Sequence, residues 1–245
     1  MLLKGKKALV TGSRRGIGAS IALTFAQEGA DVGINDIERD SEADNTIERI
    51  EQLGRKASWH MADIGNTECR QRLFDEFIAE HGRIDILVNN AVASRNVNFL
   101  DVSEGFWDHL VGHGLKGYLF CSQRAAKEMI RQKTGGRIIS ISSVHSLRAW
   151  PADTVYGIVK AGLNRMVMSM AKDLSGTGIT ANCVAPGYID SRVLSPEEEG
   201  NRGAIGAGYS DHMKGHIPSD RGGLPSDIAT AVLFLASHLG DYVNG

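Results

Sequence analysis

The stretch Lys6-Lys-Ala-Leu-Val-Thr-Gly-Ser-Arg-Arg-Gly-Ile-Gly18 decides the fold that this sequence predicts. Its apolar first half is typical of a short buried strand, and a helical pattern over residues 19–28 follows directly. A strand, a glycine-rich turn and a helix form the first half of a βαβ unit, in which the helix amino terminus can bind a pyrophosphate. The tight bend and the close approach of ligand and helix need residues without side chains, here Gly12, Gly16 and Gly18. The spacing of these glycines departs from the Gly-x-Gly-x-x-Gly fingerprint. The prediction of a nucleotide site therefore depends on the strand before them and the helix after them.

A second predicted strand, residues 30–35, ends beside an acidic residue. Asp36 lies 18 positions after Gly18, close to the roughly 20 expected for the carboxylate that binds the adenosine ribose of a dinucleotide. Such a carboxylate accepts hydrogen bonds from the ribose hydroxyls and repels a 2′-phosphate, by about 4 kcal/mol per charge pair at about 4 Å and a dielectric near 20. Arg14 and Arg15 act in the opposite direction, because a guanidinium binds phosphate. The sequence therefore predicts NAD as the cofactor, with NADP as the alternative.

Tyr156 and Lys160 stand four residues apart in a helical pattern over residues 153–175. Residues at i and i+4 are neighbours on a helix, with Cβ atoms roughly 5–6 Å apart. A close positive charge favours the phenolate, so Lys160 is expected to lower the pKa of Tyr156 toward the range of a general base. Ser143, which ends the apolar run of residues 138–143, is placed to orient a substrate oxygen. A Tyr-x-x-x-Lys pair alone is equally typical of an ordinary amphipathic helix, so its meaning depends on the nucleotide motif before it.

Strongly apolar segments alternate with helical patterns along the rest of the chain. Strands are predicted at residues 57–60, 84–89, 137–142 and 180–185, and helices at 41–53 and 67–81. Near-continuous apolar strands separated by helices indicate an α/β fold with a doubly wound, Rossmann-type parallel sheet covered on both faces. Ligands of such sheets lie at the carboxyl ends of the strands, where one crevice is expected to collect Asp36, Asp63, Asn89, Ser143 and Pro186. Asp63 and Asn89 are also typical of ordinary turns.

In order and spacing, these motifs resemble the short-chain dehydrogenase/reductase family. The resemblance covers nearly the whole chain and is carried by Thr11-Gly-Ser-Arg-Arg-Gly-Ile-Gly18, Asp63, Asn89-Asn-Ala91, Ser143, Tyr156 with Lys160, and Pro186-Gly187. It implies one dinucleotide-binding and catalytic domain over residues 1–245, assembly as a homo-oligomer (tetramer or dimer), and catalysis by Ser143, Tyr156 and Lys160. The cofactor-binding residues that it implies are Gly12, Arg15, Gly16, Ile17, Gly18, Asp36, Asp63, Ile64, Asn89, Tyr156, Lys160, Pro186, Gly187 and Ile189.

Three departures from the family pattern bear on the site. Val92 follows Asn89-Asn-Ala91 where the family carries a glycine, which predicts some narrowing near the nicotinamide. Gly114 stands where the family usually carries a fourth catalytic residue, an asparagine. Relatives usually continue past Gly245 into one more short strand, so the sequence does not predict whether the sheet has that last strand.

Part of the role of the missing asparagine is expected to survive. In the family, a backbone carbonyl freed by a helix kink at that position is thought to hold a water bonded to the active lysine. Gly112, Gly114 and Gly117 each weaken a helix by roughly 1 kcal/mol relative to alanine, so a kink is easily accommodated. His113 is the alternative source of a polar group, although a histidine is more often a surface or satisfied core residue.

Residues 188–225 are rich in glycine and charge and lack apolar periodicity. Such a segment predicts a mobile lid that closes over the substrate, or else a plain surface loop. Residues flanking the motifs are expected to complete a substrate pocket around Ser143 and Tyr156, namely Ser94, Arg95, His145, Arg148 and Trp150. Because several of these are polar or cationic, they favour a polar or anionic alcohol or ketone over a steroid-like one.

Composition narrows the classes of protein. The 245 residues carry a net charge of −2 with interspersed signs, which gives no electrostatic footprint for nucleic acid or an anionic membrane. Three cysteines without metal-ligand or disulfide spacing, Cys69, Cys121 and Cys183, favour reduced thiols in a cytoplasmic protein and no metal site. Met1-Leu-Leu-Lys-Gly5 is too short for a signal peptide, and no apolar run approaches the length of a membrane span.

The sequence thus predicts an NAD-dependent oxidoreductase that interconverts a secondary alcohol and a ketone, with Tyr156 as general acid or base. One alternative is an NADPH-dependent reductase of 3-oxoacyl thioesters, against which Asp36 argues. Another alternative is a protein that binds a nucleotide and acts as a redox regulator without catalysing a reaction. It is suggested by Gly114, which stands in place of the asparagine of the family. The presence of Ser143, Tyr156 and Lys160 together argues against that regulator.

Overall fold

The computed structural model describes residues 1–92, 96–190, 215 and 217–245, and within them the chain forms a six-stranded sheet flanked by helices. The strands are β1 (Lys7–Thr11), β2 (Asp31–Asp36), β3 (Ala57–Met61), β4 (Ile86–Asn89), β5 (Gly136–Ile141) and β6 (Ile179–Val184). The helices are α1 (Gly16–Gln27), α2 (Ser41–Gln52), α3 (Thr67–His81), α4 (Glu104–Val111), α5 (Tyr118–Gln132), α6 (Thr154–Asp173) and α7 (Pro225–Ala236). All strand pairs are parallel, in the order β3-β2-β1-β4-β5-β6. The predicted doubly wound α/β fold is confirmed.

Each strand supplies side chains to two apolar layers, because successive residues of a strand point to opposite faces. In β1, Ala8 and Val10 belong to the layer that contains α1 and α7, whereas Leu9 belongs to the layer that contains α3 and α5. All three are fully buried. Burial on both faces explains why the strand sequences are continuously apolar instead of alternating.

Strand β1 is the switch point of the sheet. Val10 pairs with Ile34 of β2 on one side and with Val88 of β4 on the other. The connection after β1 leads to α1 on one face of the sheet and the connection after β4 leads to α5 on the other face, which opens a crevice at the carboxyl ends of these strands. The glycine-rich turn after β1 lies at this crevice.

The helical segment that contains Gly112, Gly114 and Gly117 is not continuous. Helix α4 ends at Val111, a π-helical turn spans Gly112–Gly117, and α5 begins at Tyr118. A π-helical turn widens the hydrogen-bonding step from four residues to five, and its glycines lower the cost of that distortion. The structure thus contains the irregularity that these glycines predicted.

Two features near the carboxyl end were not predicted. Helix α7 packs on α1 through buried Ile228 and Val232, although Pro225 at its first position is an ordinary start signal. The last residues lie against β6, where Gly245 N donates to Ala181 O at 2.9 Å. Within the described residues the sheet ends at β6, and none of their helices has the length and apolarity needed to cross a membrane.

A buried histidine pair links β3 to α3. Ser58 Oγ lies 2.7 Å from Nε2 of both His60 and His81. Because a hydroxyl has one proton, it donates to one ring and accepts from the N–H of the other. Phe77 stacks on His81 with ring centroids 4.5 Å apart. Burial lowers the pKa of His81 to about 4 and also lowers that of His60, since a charged imidazole is poorly solvated there.

We expect the free energy of unfolding to fall as the pH is lowered from about 6.5 to about 4. In that window the unfolded chain binds a proton at His81 and the folded chain does not, so protons favour unfolding. Urea titrations across the window measure the dependence. His81→Gln should flatten it, while the same change at exposed His238 should not. An unaltered slope in His81→Gln would assign the effect to other groups.

Candidate active site

Ser143, Tyr156 and Lys160 come together at the end of β5 and the start of α6. Ser143 follows β5 and hydrogen-bonds Tyr156. Lys160 Nζ lies 5.4 Å from the centre of the Tyr156 ring and donates to the carbonyl of Ile141 at 2.7 Å. The centre of the Tyr118 ring lies 5.6 Å from the same ammonium. The three side chains predicted to be catalytic therefore form one cluster.

The protonation of this cluster differs from the expectation that Lys160 lowers the pKa of Tyr156. Burial raises the pKa of Tyr156, and the hydrogen bond with Ser143 opposes it only in part. Burial also lowers the pKa of Lys160 to about 7. The physical reason is desolvation, which disfavours the charged form of both groups. The protein alone thus holds Tyr156 as a phenol, the form that donates a proton.

The glycine-rich turn is packed so closely that side chains would not fit in it. Gly12 and Gly16 both have φ of 60°, a region that glycine adopts without strain. A Cβ on Gly12 would lie 2.5 Å from Ala91 Cα, and one on Gly18 would lie 2.2 Å from the Gly12 carbonyl oxygen. Helix α1 begins after Arg15 without a side-chain cap, which leaves its first N–H groups available to an anion. This cradle fits the pyrophosphate of a dinucleotide.

Asp36 lies at the end of β2 in a cluster of carboxylates around Arg14. Arg14 Nε is 3.8 Å from Asp36 Oδ2, and Arg14 Nη1 is 2.8 Å from Glu38 Oε1. Asp40 also bonds Nη1 of Arg14. Only 12% of the Arg14 side chain is exposed, against 61% for Arg15. The charge of Arg14 is therefore neutralised within the protein. Because three carboxylates surround this one guanidinium, the cluster keeps a net negative charge.

His113 contacts Asp63, which follows β3. Its Nε2 lies 2.8 Å from Asp63 Oδ1, and its Nδ1 lies 2.7 Å from the carbonyl oxygen of His109. Asp63 Oδ1 also accepts from the backbone N–H of Gly65 at 2.7 Å. Both ring nitrogens of His113 are thus occupied away from Lys160, which argues against His113 as a replacement for the missing asparagine. Ile64, beside Asp63, is buried in the layer under α3 and α5.

The two asparagines after β4 have different environments. Asn89, predicted to bind the cofactor, is fully buried, and its amide donates to Ser122 Oγ at 2.9 Å inside the protein. Asn90 Nδ2 instead donates to the carbonyl oxygens of Thr11 and Gly12 at 3.0 and 2.8 Å. Asn90 thus fixes the glycine-rich turn. This role was not predicted from the sequence, although Asn90 belongs to the same Asn-Asn-Ala motif as Asn89.

The loop after β6 approaches the catalytic cluster. Val144 N, next to Ser143, donates to the carbonyl of Pro186 at 3.0 Å, which places Pro186 and Gly187 beside the cluster. Ile189 forms a β-bridge with Gly223, so the described ends of the predicted lid lie side by side. Most of that segment, residues 191–214 and 216, lies outside the described residues, as do the predicted pocket residues Ser94 and Arg95.

Comparison with known proteins agrees with this geometry. The family model described as enoyl-(acyl carrier protein) reductase matches residues 12–245. The 2-dehydro-3-deoxy-D-gluconate 5-dehydrogenase of Escherichia coli is 38% identical over 247 residues, covering 99% of this chain and 92% of that protein. The chain belongs to the short-chain dehydrogenase/reductase family. Another relative, the 3-oxoacyl-(acyl-carrier-protein) reductase FabG of Staphylococcus aureus, is 35% identical over 98% of this chain and 94% of its own length.

Solved structures of short-chain dehydrogenases share the fold. Acetoin dehydrogenase from Salmonella typhimurium has a TM-score of 0.87 and 33% identity, over 98% of this chain and 91% of that one. A short-chain dehydrogenase from Burkholderia cenocepacia, in complex with NADP, has a TM-score of 0.88 and 32% identity, over 100% and 95%. The chain is accordingly an NAD(P)-dependent oxidoreductase that acts on CH–OH groups.

Packing explains why this short-chain dehydrogenase/reductase carries Gly114. The residue is buried in the π-helical turn, and a Cβ there would lie 2.7 Å from Cγ1 of Val159. Val159 is fully buried in a small apolar cluster with Leu110 and Val155. A β-branched valine in a helix has essentially one χ1 rotamer and cannot swing aside. Val159, immediately before Lys160, therefore occupies the volume that a side chain at position 114 would enter.

His145 and Trp150, which the sequence predicts to line the substrate pocket, lie near Tyr156. The ring of His145 is 5.5 Å from the Tyr156 ring, edge to face, and 5.4 Å from the Trp150 ring, nearly parallel. Arg148 is exposed on the same loop. Val92 is also partly exposed, so the narrowing predicted at that position stays a prediction.

We expect Gly114→Asn to destabilise the enzyme by about 1–3 kcal/mol, as overpacking of a core does. Val159→Ala in the same chain removes the colliding methyl group and should restore most of the loss. Thermal unfolding and kcat/KM of both single variants and the double variant measure the coupling. Gly105→Asn is the matched control, because a Cβ at Gly105 in α4 meets no atom within 4 Å. Strictly additive effects at positions 114 and 159 would contradict this account.

Proposed function

We propose that this enzyme interconverts a secondary alcohol and a ketone on a small polar substrate, with NAD as its cofactor. The observation that carries the proposal is the cluster of Ser143, Tyr156 and Lys160 beside a cradle fitted to a dinucleotide. The cradle is formed by Gly12, Gly16 and Gly18 and the open start of α1. Asp36 stands at the corner expected for the adenosine ribose.

The catalytic cluster supplies the proton chemistry. A bound nicotinamide supplies or accepts the hydride. During reduction, Tyr156 donates its phenolic proton to the ketone oxygen; during oxidation, its phenolate takes the proton of the alcohol. Ser143 Oγ accepts from the His145 N–H at 3.2 Å and is placed to donate to the same substrate oxygen. With a pKa of about 7, Lys160 is charged in part of the molecules near neutrality, and its charge favours the phenolate.

Tyr156→Phe should lower kcat by about 10²–10⁴-fold, because no proton can be transferred. NAD affinity should stay within a few-fold, since the ring still packs. Initial rates and a cofactor titration by fluorescence measure the two effects. Tyr242→Phe, at a fully exposed position, should leave both unchanged. Residual activity above about a tenth of the wild-type rate would remove Tyr156 from its assigned role.

The cluster around Arg14 supports NAD over NADP. A 2′-phosphate at this corner would meet the carboxylates of Asp36, Glu38 and Asp40, which already neutralise Arg14. Exposed Arg15 offers one opposing charge. The Burkholderia cenocepacia relative was solved with NADP, so the choice depends on this corner rather than on the fold.

Asp36→Ala should weaken NAD and strengthen NADP, shifting the ratio of their kcat/KM values by at least about tenfold, or 1.4 kcal/mol. The change removes a ribose acceptor and a repulsive charge together. Steady-state rates with each cofactor give the ratio. Asp44→Ala, at a surface carboxylate paired with Arg39, is the control. If selectivity does not change, Asp36 does not lie at the ribose.

A panel of substrates tests the class. It should contain sugar acids, polyols, acetoin, cyclic ketones and a 3-oxoacyl thioester, each assayed with both cofactors at the reduced-nicotinamide absorbance. The resemblance to FabG makes the thioester reductase the second candidate. Turnover of polar alcohols or ketones with NAD supports the proposal. Preference for the thioester with NADPH supports the second candidate, and absence of all Tyr156-dependent turnover supports a non-catalytic regulator.

The lid, the homo-oligomer and the cytoplasmic location stay predictions. The bridge between Ile189 and Gly223 supports a lid, because it anchors both ends of the segment at one point. Exposed apolar side chains on α4, α5 and α6 support contact between copies of the chain: Trp107, Leu119, Phe120, Ile158 and Met168. Light scattering after size exclusion measures the assembly.

A further inference from the structure

Asp153 stands at the amino-terminal cap of α6 but does not cap it. An aspartate at this position ordinarily accepts from the first free N–H groups of the helix, as Asp40 does for α2 by accepting from Glu42 and Ala43. The Asp153 side chain makes no such bond. Its Oδ2 instead accepts from His145 Nδ1 at 2.8 Å and from the Trp150 backbone N–H at 3.1 Å. The carboxylate is diverted from the helix to the loop beside the catalytic cluster.

This contact fixes the tautomer of His145. An ionised carboxylate only accepts hydrogen bonds, so Nδ1 must carry the proton. In the neutral imidazole, Nε2 is then an acceptor. Within the ranges that the structure describes, Nε2 has no hydrogen-bond partner, whereas Asp153 is 7% exposed and closed off from solvent. Nδ1 is thus held as a donor to Asp153, and Nε2 is left to accept a hydrogen bond.

The available nitrogen belongs to a ring at the reaction centre. The His145 ring meets the Tyr156 ring edge to face at 5.5 Å, and its backbone N–H bonds Ser143 Oγ. The Trp150 ring stacks on the His145 ring at 5.4 Å and is half exposed, and its backbone N–H is bound by the same carboxylate of Asp153. The ring that carries this acceptor, with an aromatic ring stacked on it, thus lies next to Tyr156 and Ser143.

We propose that Asp153 is a positioning residue that presents His145 Nε2 to a second hydroxyl of the substrate, on the carbon next to the reacting one. Trp150 covers the C–H face of the same substrate. The favoured class is therefore a vicinal diol and its hydroxyketone, in preference to an isolated alcohol or ketone. This inference rests on the proposed function, since it assigns the substrate of the same site.

The test compares two substrate pairs that differ by the neighbouring hydroxyl. They are acetoin and butanone for reduction, and trans-cyclohexane-1,2-diol and cyclohexanol for oxidation. The wild type should prefer the hydroxylated member by at least about tenfold in kcat/KM, a usual value for one good hydrogen bond. His145→Phe keeps a ring beside Trp150 but has no acceptor. It should reduce the preference to within about threefold, through KM of the hydroxylated substrate with little change in kcat.

The variant Asp153→Asn distinguishes a positioning role of Asp153 from a purely structural one. The Trp150 N–H holds the amide oxygen of the asparagine where Oδ2 was, so Nδ1 still donates to it, but to an uncharged and therefore weaker acceptor. The ring is held less firmly, so the preference should fall toward that of His145→Phe, while butanone and cyclohexanol keep their kcat/KM within about threefold. His145→Gln retains an amide oxygen as acceptor and should recover part of the preference. Asp173→Asn, exposed at the far end of α6, is the control.

Three outcomes would overturn the inference. They are a wild type without preference in both pairs, an equal loss for both members of a pair in Asp153→Asn, and Tyr156-dependent turnover of other panel substrates with none of these four. The second outcome would show a purely structural carboxylate. If no substrate of the panel shows Tyr156-dependent turnover, the proposed function itself fails, and the two failures are thereby distinguished.

Discussion

The parallel pairing of β1 with both β2 and β4 is the constraint on which the site depends. It brings the turn after β1 against the Asn90-Ala91 segment after β4, so closely that a Cβ on Gly12 would lie 2.5 Å from the Ala91 Cα. The Asn90 amide ties the turn to that segment through two carbonyls. The open start of α1 thereby lies at the crevice between β1 and β4. A bulkier turn would move the helix and lose the anion site.

Two cations in this crevice are handled in opposite ways. Arg14 is enclosed by three carboxylates, which compensate its charge within the protein. Lys160 is buried against the Ile141 carbonyl and the rings of two tyrosines, without a carboxylate partner among the residues that the structure describes, and burial lowers its pKa to about 7. A buried ammonium without a compensating charge has its pKa lowered by desolvation and can lose its proton near neutrality, whereas a guanidinium stays charged in proteins. This difference suits Lys160 to proton chemistry and Arg14 to a structural role.

Much of the site followed from local patterns. The glycine turn between β1 and α1, the acid at the end of β2 and the i, i+4 pair of Tyr156 and Lys160 are all short-range features, and the structure places them as their spacing indicated. The residues that the sequence did not reveal act across long separations in the chain. Asn90 bonds the turn around Gly12, and Val159 fills the space beside Gly114.

The sequence by itself determined the alternation of strands and helices as far as β6, the irregular helix at the Gly112–Gly117 turn and the grouping of Ser143, Tyr156 and Lys160. These depend on periodicity, backbone propensity and spacing within one element, which a single chain displays directly. Only the tertiary structure decided that Asp153 turns from its helix to His145, that His113 serves the Asp63 corner, and that the pKa of Tyr156 is raised. Each of these depends on burial and on partners from other elements, because desolvation and hydrogen-bond choice are set by packing that no local pattern contains.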